Sequence, residues 1–308
     1  MRFFVTHPLA AGDCDPAFLD PANLAGFARA VEQAGFSGLA FTDHPAPSHK
    51  WLEAGGHPAL DPFVALGYMA AATERLRLLP NIVVLPYRNP FLTAKGGATV
   101  DVLSGGRFTL AVGAGYLKSE FRALGVDFDH RNDLVDEALE VIRGIWTTDD
   151  YSFEGRHFSA RGVTSRPRPV QQPHPPIWIG GNGARARQRV CDHGTGWNPF
   201  PAPGWLAQTS RTIPMEGIDD LARGLDDLWQ RLERAGRSQA DVDVSFTNPA
   251  GGAPAADDFD ADAHIESLNR LTALGVTWCG VSVPGHDYGR ATEVLAGYGE
   301  RVISATAS

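Results

Sequence analysis

The sequence predicts a (β/α)8 TIM barrel, an α/β fold of eight parallel strands in which each strand is followed by a helix. Eight short runs of β-type residues recur along the chain, and segments with helical periodicity lie between them. Most of the strand candidates are continuously apolar, as is typical of parallel strands that are covered on both faces. This alternation favours a closed barrel, and a doubly wound open sheet is the alternative.

The predicted strands and helices alternate along the chain as this fold requires. Helix candidates carry end signals: "NLAGFARAVEQAG" ends at Gly35, "DPFVALGYMAAATE" begins with an acid and a proline, and "PFLTAKGGATVDVLS" begins at Pro90. The strands are predicted at residues 2–7, 37–42, 77–85, 107–113, 176–181, 194–199, 242–247 and 276–283. The further helices are predicted at residues 131–146, 184–192, 217–236, 261–274 and 289–304.

We predict a single domain over residues 1–308 with insertions in the loops that follow the strands. The segment 147–175 is rich in turn formers and contains "YSFEGRHFSA", which predicts a hairpin around Glu154-Gly155. Residues 201–217 predict a loop or short helix at the catalytic end of the barrel, and residues 248–262 predict a further loop. Predicted strands and helices resume after each of these three segments, so none of the segments divides the domain.

Net charge, apolar runs and cysteine spacing argue against several classes of protein. The net charge of −9 argues against a nucleic-acid partner, which would require a clustered basic surface. No apolar run reaches the length of a membrane span and the first residues do not resemble a secretory signal, so we expect a cytoplasmic enzyme without a membrane partner. Three widely spaced cysteines form neither a disulfide framework nor a metal motif.

Residues that follow the strands of a barrel face its active site, because the βα loops gather at the carboxyl ends of the strands. "FTDHPAP" places Asp43 and His44 after the second strand, where histidine is suited to proton exchange near neutral pH. The structural alternative is that Asp43 caps a turn. A metal site built on His44, His49 and His57 is not expected, because their spacing matches no ligand motif. The same rule nominates His7, Tyr87, Arg88, residues 113–120, residues 180–183 and Asn198.

Two glycine-rich loops predict a cofactor that carries phosphate. "PPIWIGGNGARARQR" has a buried strand, then glycines, then the start of a helix, and "TLAVGAGYLKSEF" repeats the pattern. Backbone N–H groups in such loops can surround an anion, because glycine allows close approach of the backbone and a helix N-terminus carries partial positive charge. The structural alternative is an ordinary tight βα loop.

The chain resembles the luciferase-like monooxygenase superfamily, in its F420-dependent oxidoreductase branch. The resemblance rests on "GFSGLAFTDH", on the long run from Leu76 to Gly115, on "RNDLVDEALEVIRGIW" and on "RPVQQPHPPIWIGGNGARARQR". It implies a TIM barrel that binds coenzyme F420, or alternatively FMN, beside Asp43 and His44. It also implies a non-proline cis peptide near Asn81-Ile82 that supports the cofactor ring. The implied phosphate contacts are Gly113, Ala114, Gly115, Tyr116, Gly180, Gly181 and Asn182.

The resemblance implies hydride transfer between F420 and a small organic substrate, with His44 and Asp43 as the catalytic pair. We prefer F420, since Ala-, Arg-, Gly- and Pro-rich usage with few lysines is typical of actinobacterial genomes, where this cofactor is common. With FMN, the protein would be a two-component monooxygenase supplied by a flavin reductase. A non-catalytic flavin-binding barrel is the second alternative. Relatives are often homodimers, and the substrate-pocket candidates are His7, Trp197, Phe200 and Trp205.

Two departures from the family pattern bear on these expectations. The residues Leu79-Pro80-Asn81 replace the Gly-Thr-Asn or Gly-Thr-Gly that relatives often carry before the third-strand bulge, which affects the contacts to the ring. Tyr116 occupies the position of a glutamate found in F420-dependent sugar-phosphate dehydrogenases. The sequence therefore disfavours a sugar-phosphate substrate.

Overall fold

Parallel strands form an almost closed barrel in the computed structural model, which describes residues 1–9 and 14–306. Nine of the strands in this part of the chain form one sheet in the order β3-β2-β1-β11-β10-β9-β8-β5-β4, while β6 and β7 form a separate hairpin. Leu78 of β3 bridges to Phe108 in parallel and so connects the two ends of the sheet. The strands are β1 (Arg2–Thr6), β2 (Gly38–Phe41), β3 (Arg77–Pro80), β4 (Val83–Val84), β5 (Leu110–Gly113), β6 (Tyr151–Glu154), β7 (Ser159–Val163), β8 (Ile177–Gly180), β9 (Gly196–Asn198), β10 (Asp243–Thr247) and β11 (Trp278–Val281).

The predicted TIM barrel is confirmed, and its third strand is divided into two parts. The prediction of one continuous strand over residues 77–85 is corrected, because β3 and β4 are separated at Asn81-Ile82. The peptide bond between these two residues is a non-proline cis bond, as the family resemblance implied. The backbone there leaves the regular ladder, and β3 pairs with β2 whereas β4 pairs with β5. The interruption lies at the carboxyl end of the barrel.

Helices follow the strands and cover the outside of the barrel. The predicted helices are present, and α2 and α5 are additional short helices that were not predicted. The last predicted helix ends earlier as an α-helix, since Gly299–Ile303 is a π-helix. The helices are α1 (Pro21–Gln33), α2 (His49–Glu53), α3 (Pro62–Ala72), α4 (Pro90–Leu103), α5 (Lys118–Ala123), α6 (Arg131–Thr147), α7 (Ala184–Asp192), α8 (Gly204–Thr209), α9 (Ile218–Arg234), α10 (Ala261–Ala273), α11 (Tyr288–Tyr298) and α12 (Ser304–Thr306).

Local sequence determines where several of these helices begin. Asp20, Asp61 and Asn89 cap α1, α3 and α4, and each side chain accepts hydrogen bonds from backbone N–H groups of the first turn. A proline follows each cap, where its fixed φ suits the helix and its missing N–H has no partner to lose. The starts of α3 and α4 were predicted for this reason, whereas the segment predicted for α1 began at Asn23, two residues after its actual start at Pro21.

The barrel interior is filled by side chains that alternate with those facing the helices. Phe4, Leu79, Trp178 and Trp278 pack together inside the barrel, with Ala40 and Ala111. Gly196 is required next to this cluster, because a Cβ there would lie 2.2 Å from Trp178 Cδ1. The barrel is therefore a packed core and not a channel, with its cavity confined to one end.

The predicted insertion is an ordered part of the same body. The hairpin of β6 and β7 forms around Glu154-Gly155 as predicted, and Glu137 of α6 accepts hydrogen bonds from the backbone N–H groups of residues 156–158. In residues 1–9 and 14–306, none of the helices combines the length and apolar character needed to span a bilayer. Residues 10–13 and 307–308 of the predicted 1–308 domain lie outside the described part.

Candidate active site

A cavity of about 660 Å³ opens at the carboxyl ends of the barrel strands. Its wall is formed by the segments that follow β2, β3, β5, β8 and β9, together with residues of β10. The sequence-predicted residues that line it are Asp43, His44, Asn81, Ile82, Gly113, Ala114, Gly115, Tyr116, Gly180, Gly181, Asn182 and Phe200. Residues separated by more than a hundred positions in sequence thus meet in one site, as expected at this end of a barrel.

His44 is held in the cavity wall by a buried carboxylate. Its Nδ1 lies 3.1 Å from Oε2 of Glu120, whose side chain is fully buried. Glu120 also accepts a hydrogen bond from the Tyr87 hydroxyl at 3.0 Å and from the Ala46 N–H at 3.1 Å. Because both carboxylate oxygens of Glu120 already act as acceptors for Tyr87 and Ala46, we assign His44 as a further donor, with its proton on Nδ1. Nε2 is then the nitrogen left for a bound molecule.

Aromatic rings surround His44 on the cavity side. The ring of Trp51 lies 4.7 Å from that of His44, and His57 contacts His44 edge-on at 5.0 Å. Tyr116 approaches to 6.4 Å. Burial lowers the pKa of His57 and raises that of Tyr116, so both side chains are neutral at pH 7. The three rings next to His44 therefore carry no charge at pH 7.

Asp43 forms a buried ion pair in the cavity wall. Its Oδ1 accepts a hydrogen bond from Arg88 at 2.7 Å and its Oδ2 accepts one from the Val84 N–H at 3.0 Å. Arg88 also contacts the more exposed Asp61 at 3.1 Å. Burial raises the pKa of Asp43, whereas the Arg88 guanidinium and the Val84 amide oppose that rise. Asp43 therefore ties β2 to β4, and the role of fixing the histidine tautomer falls to Glu120.

The cis peptide places Asn81 and Ile82 at the floor of the cavity. The side-chain oxygen of Asn81 accepts a hydrogen bond from Asn198 at 2.9 Å, and its nitrogen donates to Thr6 at 3.3 Å. A Cβ on Gly113 would lie 2.1 Å from Cδ1 of Ile82. Glycine at position 113 thus makes room for the Ile82 side chain, which contributes apolar surface to the cavity wall.

The glycine-rich loops form another part of the wall. Gly115 and Gly181 adopt φ of +74° and +111°, which L residues with a Cβ rarely adopt. A Cβ on Gly115 would also lie 2.4 Å from Val84. Asn182 uses its side chain to bind the backbone of Phe200 and Ile213, at 3.0–3.1 Å, so it secures the segment that follows β9. This glycine-lined wall offers space for a cofactor whose phosphate approaches the backbone.

Basic side chains complete the wall beside the glycine-rich loops. Arg185, in the first turn of α7, contacts Asp136 at 2.7 Å, and Arg189 contacts the same carboxylate at 2.5 Å. Arg131 and Arg211 also line the cavity. The start of a helix and a group of arginines beside glycine-rich backbone together suit an anion. The residues present therefore fit the phosphate of FMN or F420.

Three predicted pocket residues do not line the cavity, and their assignment is corrected. Trp197 is fully buried on the outer face of the barrel, where its Nε1 donates to the Gly181 carbonyl. Trp205 on α8 is 71% exposed. His7 lies between the barrel and α1, stacked on Phe41 at 5.0 Å. Phe200 alone of the four candidates remains in the pocket.

His7 should make the protein sensitive to acid. Both ring nitrogens are buried without a hydrogen-bond partner in the described residues, and burial lowers the pKa of His7 to about 4. The folded state then binds a proton less readily than the unfolded state, so stability is lost as the pH falls from about 6.5 toward 4. We expect a loss of about 2 kcal/mol at pH 5 from this residue.

The measurement is urea unfolding at pH 7 and pH 5 for the wild type and for His7→Phe. Phenylalanine matches the surrounding rings and cannot take up a proton, so the variant should lose less stability between the two pH values. His49→Ala, at a solvent-exposed histidine, is the control and should behave as the wild type does. Equal acid sensitivity in His7→Phe and the wild type would contradict this assignment.

Comparison with known proteins relates the chain to one protein family and to two enzymes with different cofactors. The family model described as luciferase-like monooxygenase matches residues 1–274. An FMNH2-dependent dimethylsulfone monooxygenase of Pseudomonas putida is 39% identical over 130 residues, which are 40% of this chain and 36% of that enzyme. The chain thus matches little more than a third of that relative. An F420-dependent glucose-6-phosphate dehydrogenase of Nakamurella multipartita is 28% identical, and the match covers 92% of each chain.

Solved structures support the fold. Monooxygenase RslO1 from Streptomyces bottropensis superposes with a TM-score of 0.79 and 19% identity, covering 99% of this chain and 100% of that one.

The sequence had nominated Tyr87, Arg88 and residues 113–120 by their place after strands, but it assigned no role to Glu120 or His57. The sequence signal for Glu120 was its place in "GAGYLKSE", although its contact with His44 spans 76 positions.

Proposed function

Because the chain belongs to the luciferase-like monooxygenase family, we propose that it is an oxidoreductase that uses coenzyme F420 in hydride transfer to or from a small organic substrate. The observation that carries this proposal is the placement of His44, fixed by Glu120, in the same cavity as the glycine-lined wall. Such a site supplies a proton-exchanging group next to a place for a phosphorylated redox cofactor.

The chain's own residues position the cofactor and the substrate. Asn81 and Ile82 would support the planar ring, and Gly113, Ala114, Gly115, Tyr116, Gly180 and Gly181 would surround the phosphate-bearing chain, with Asn182 holding the adjacent segment. When bound, F420 supplies two-electron hydride chemistry. The Ile82 side chain would provide an apolar contact for such a ring, and the hydrogen-bonded Asn81 and Asn198 side chains would provide polar contacts.

His44 would move the proton that accompanies hydride transfer. Its Nδ1 is directed to Glu120, so Nε2 accepts a proton from a substrate hydroxyl in the oxidising direction and returns it in the reducing direction. Glu120 acts through His44 as a positioning residue, since its carboxylate stabilises the imidazolium form. Asp43 secures β4 and with it the floor of the cavity.

The neighbours of His44 indicate the kind of substrate. His57, Tyr116 and Phe200 line the cavity and carry no charge at neutral pH, and the carboxylates of Asp43 and Glu120 are engaged by protein groups. The part of the cavity next to His44 therefore presents no free carboxylate, and its uncharged side chains favour a neutral organic molecule at the reacting position. This agrees with Tyr116 standing where sugar-phosphate dehydrogenases carry a glutamate.

F420 is preferred over FMN because the F420-dependent relative matches along 92% of both chains. FMN remains the second candidate, because the most identical relative reported above depends on FMNH2. In that case the enzyme would be a monooxygenase that requires a flavin reductase as partner.

The proposal is tested by titrating apo-protein into oxidised F420 and, separately, into FMN while cofactor fluorescence is followed. Tight binding of F420 with weak binding of FMN is the expected result. The reverse order would replace the proposal by the FMN-dependent monooxygenase. Binding of neither would leave a barrel without this redox function.

We propose further that the protein is a homodimer through α3 and α4. These helices pack together and expose large apolar side chains at Val64 (74%), Leu92 (72%) and Leu103 (61%). Large exposed apolar side chains on two helices that pack together favour a protein interface. A second copy of the chain presents the same apolar surface and suits a twofold contact.

The double variant Val64→Asp/Leu92→Asp should sediment as a monomer where the wild type sediments as a dimer. Two carboxylates in an apolar interface lose their hydration, which opposes association. Trp205→Asp removes an equally exposed apolar side chain from another part of the surface and should remain dimeric. A monomeric wild type would refute the dimer.

A further inference from the structure

Three cations gather on one aromatic ring at the rim of the cavity. Arg131 lies 3.9 Å from the centre of the Phe128 ring, Lys118 lies 5.0 Å from it and Arg211 lies 5.3 Å from it. Arg131 and Arg211 also line the cavity. We call Lys118, Arg131 and Arg211 the rim cluster. It concentrates positive charge in a protein whose net charge is −9.

The rim cluster lacks the carboxylate partners that neighbouring arginines have. Arg185 and Arg189 pair with Asp136, and Arg187 pairs with Asp227. Within residues 1–9 and 14–306, no ion pair joins a carboxylate to Lys118, Arg131 or Arg211. Burial lowers the pKa of Arg131 and the positive charge of Arg211 adds to that effect, while the Asp129 carboxylate, which forms no ion pair with Arg131 in the described residues, partly opposes it. Like charges held close together without an ion-paired counter-charge are unfavourable unless an anion joins them.

The backbone holds Arg211 in place beside the glycine-rich wall. Arg211 adopts φ of +52°, a left-handed conformation that is uncommon for a residue other than glycine. The hydroxyl of the next residue, Thr212, accepts a hydrogen bond from the N–H of Asn182 at 3.3 Å. The rim cluster is therefore connected to the loop proposed to bind the cofactor phosphate, and it lies on the cavity wall.

We propose that the rim cluster binds the carboxylates of the glutamate tail of F420. This inference rests on the proposed function and extends the cofactor site beyond the phosphate. FMN ends at its phosphate, whereas F420 continues through a phosphodiester into a lactyl group and glutamates, each of which adds a carboxylate. Arginine and lysine at an open rim suit a flexible anionic chain, because they bind carboxylates without requiring a closed pocket.

The test compares F420 that lacks glutamates with F420 that carries several, by fluorescence titration of the purified full chain at low and high salt. The wild type should bind the tailed form about tenfold more tightly at low salt, since each exposed ion pair contributes up to about 1 kcal/mol. Added salt should reduce that difference. In Arg131→Gln/Arg211→Gln the difference between the two forms should disappear, because the tailed form should lose about tenfold more affinity than the tailless form.

A control with the same change in net charge is Arg223→Gln/Arg234→Gln, on the exposed face of α9, which should retain the difference. Equal affinity of the wild type for the two forms would overturn the inference, as would equal weakening of both forms in the rim variant. Binding of the tailless form tests the cofactor assignment itself. If the wild type does not bind it, the proposed function fails together with the tail site.

Discussion

Replacing His44 with alanine should lower turnover by about two to four orders of magnitude and leave cofactor affinity within about twofold. General acid–base catalysis by a positioned side chain contributes that range. The imidazole is fixed by Glu120, and the proposed phosphate contacts come from other segments of the wall, the loops after β5 and β8. Loss of the ring therefore removes the proton-exchanging group but retains the cofactor site. Steady-state kinetics with fluorescence titration of the cofactor measures the two effects separately.

His49 provides a matched control for this variant. It lies at the start of α2, five residues from His44, with a side chain that is 86% exposed and lies 3.1 Å from Glu53. His49→Ala should keep wild-type turnover. If His44→Ala lost turnover and cofactor affinity equally, His44 would be a binding residue. If it lost neither, the catalytic role would be refuted.

The barrel was predictable because its signals are local. Helix starts depend on a cap and a proline that are adjacent in sequence, and buried parallel strands are short apolar runs. The interruption at Asn81-Ile82 was implied by resemblance alone, since neither residue carries a propensity signal for it. Likewise α5 is six residues long and lacks a side-chain cap, so no local pattern marked it.

Site residues were predicted less well where the direction of a side chain mattered. His7 was placed in the pocket by its position after β1, yet Phe3 and Val5 face the helices while Phe4 faces the barrel interior. Side chains alternate along a strand, so position 7 continues the outward series. Trp197 and Asn198 differ in the same way, since Asn198 lines the cavity and Trp197 does not. Alternation read from each strand would have corrected both residues.

Glu120 could not be assigned from the sequence, because its role depends on contacts from distant segments. His44, Ala46 and Tyr87 each donate to it, and they follow two other strands. A glutamate in a short amphipathic stretch is commonly a solvated residue. Only the folded barrel shows that this one is buried and that three donors satisfy it.

Asp43→Asn should destabilise the fold by about 3 kcal/mol, which is near the lower end for breaking a buried ion pair. The amide can offer its oxygen to Arg88 or to the Val84 N–H but not to both, and its NH2 then faces a donor. Arg88 keeps its contact with Asp61, which limits the loss. Urea unfolding of the variant and the wild type at pH 7 measures the difference in the free energy of unfolding.

Asp61→Asn tests whether burial of the ion pair causes the loss of stability expected in Asp43→Asn. This variant removes the other carboxylate that contacts Arg88. The Asp61 side chain is 42% exposed, whereas that of Asp43 is 1% exposed. Water can replace the lost contact at position 61, so we expect a loss of no more than about 1 kcal/mol. Equal losses in the two variants would mean that Asp43 contributes no more than a surface charge. The larger loss at Asp43 would identify the β2–β4 connection as the support of the cavity floor.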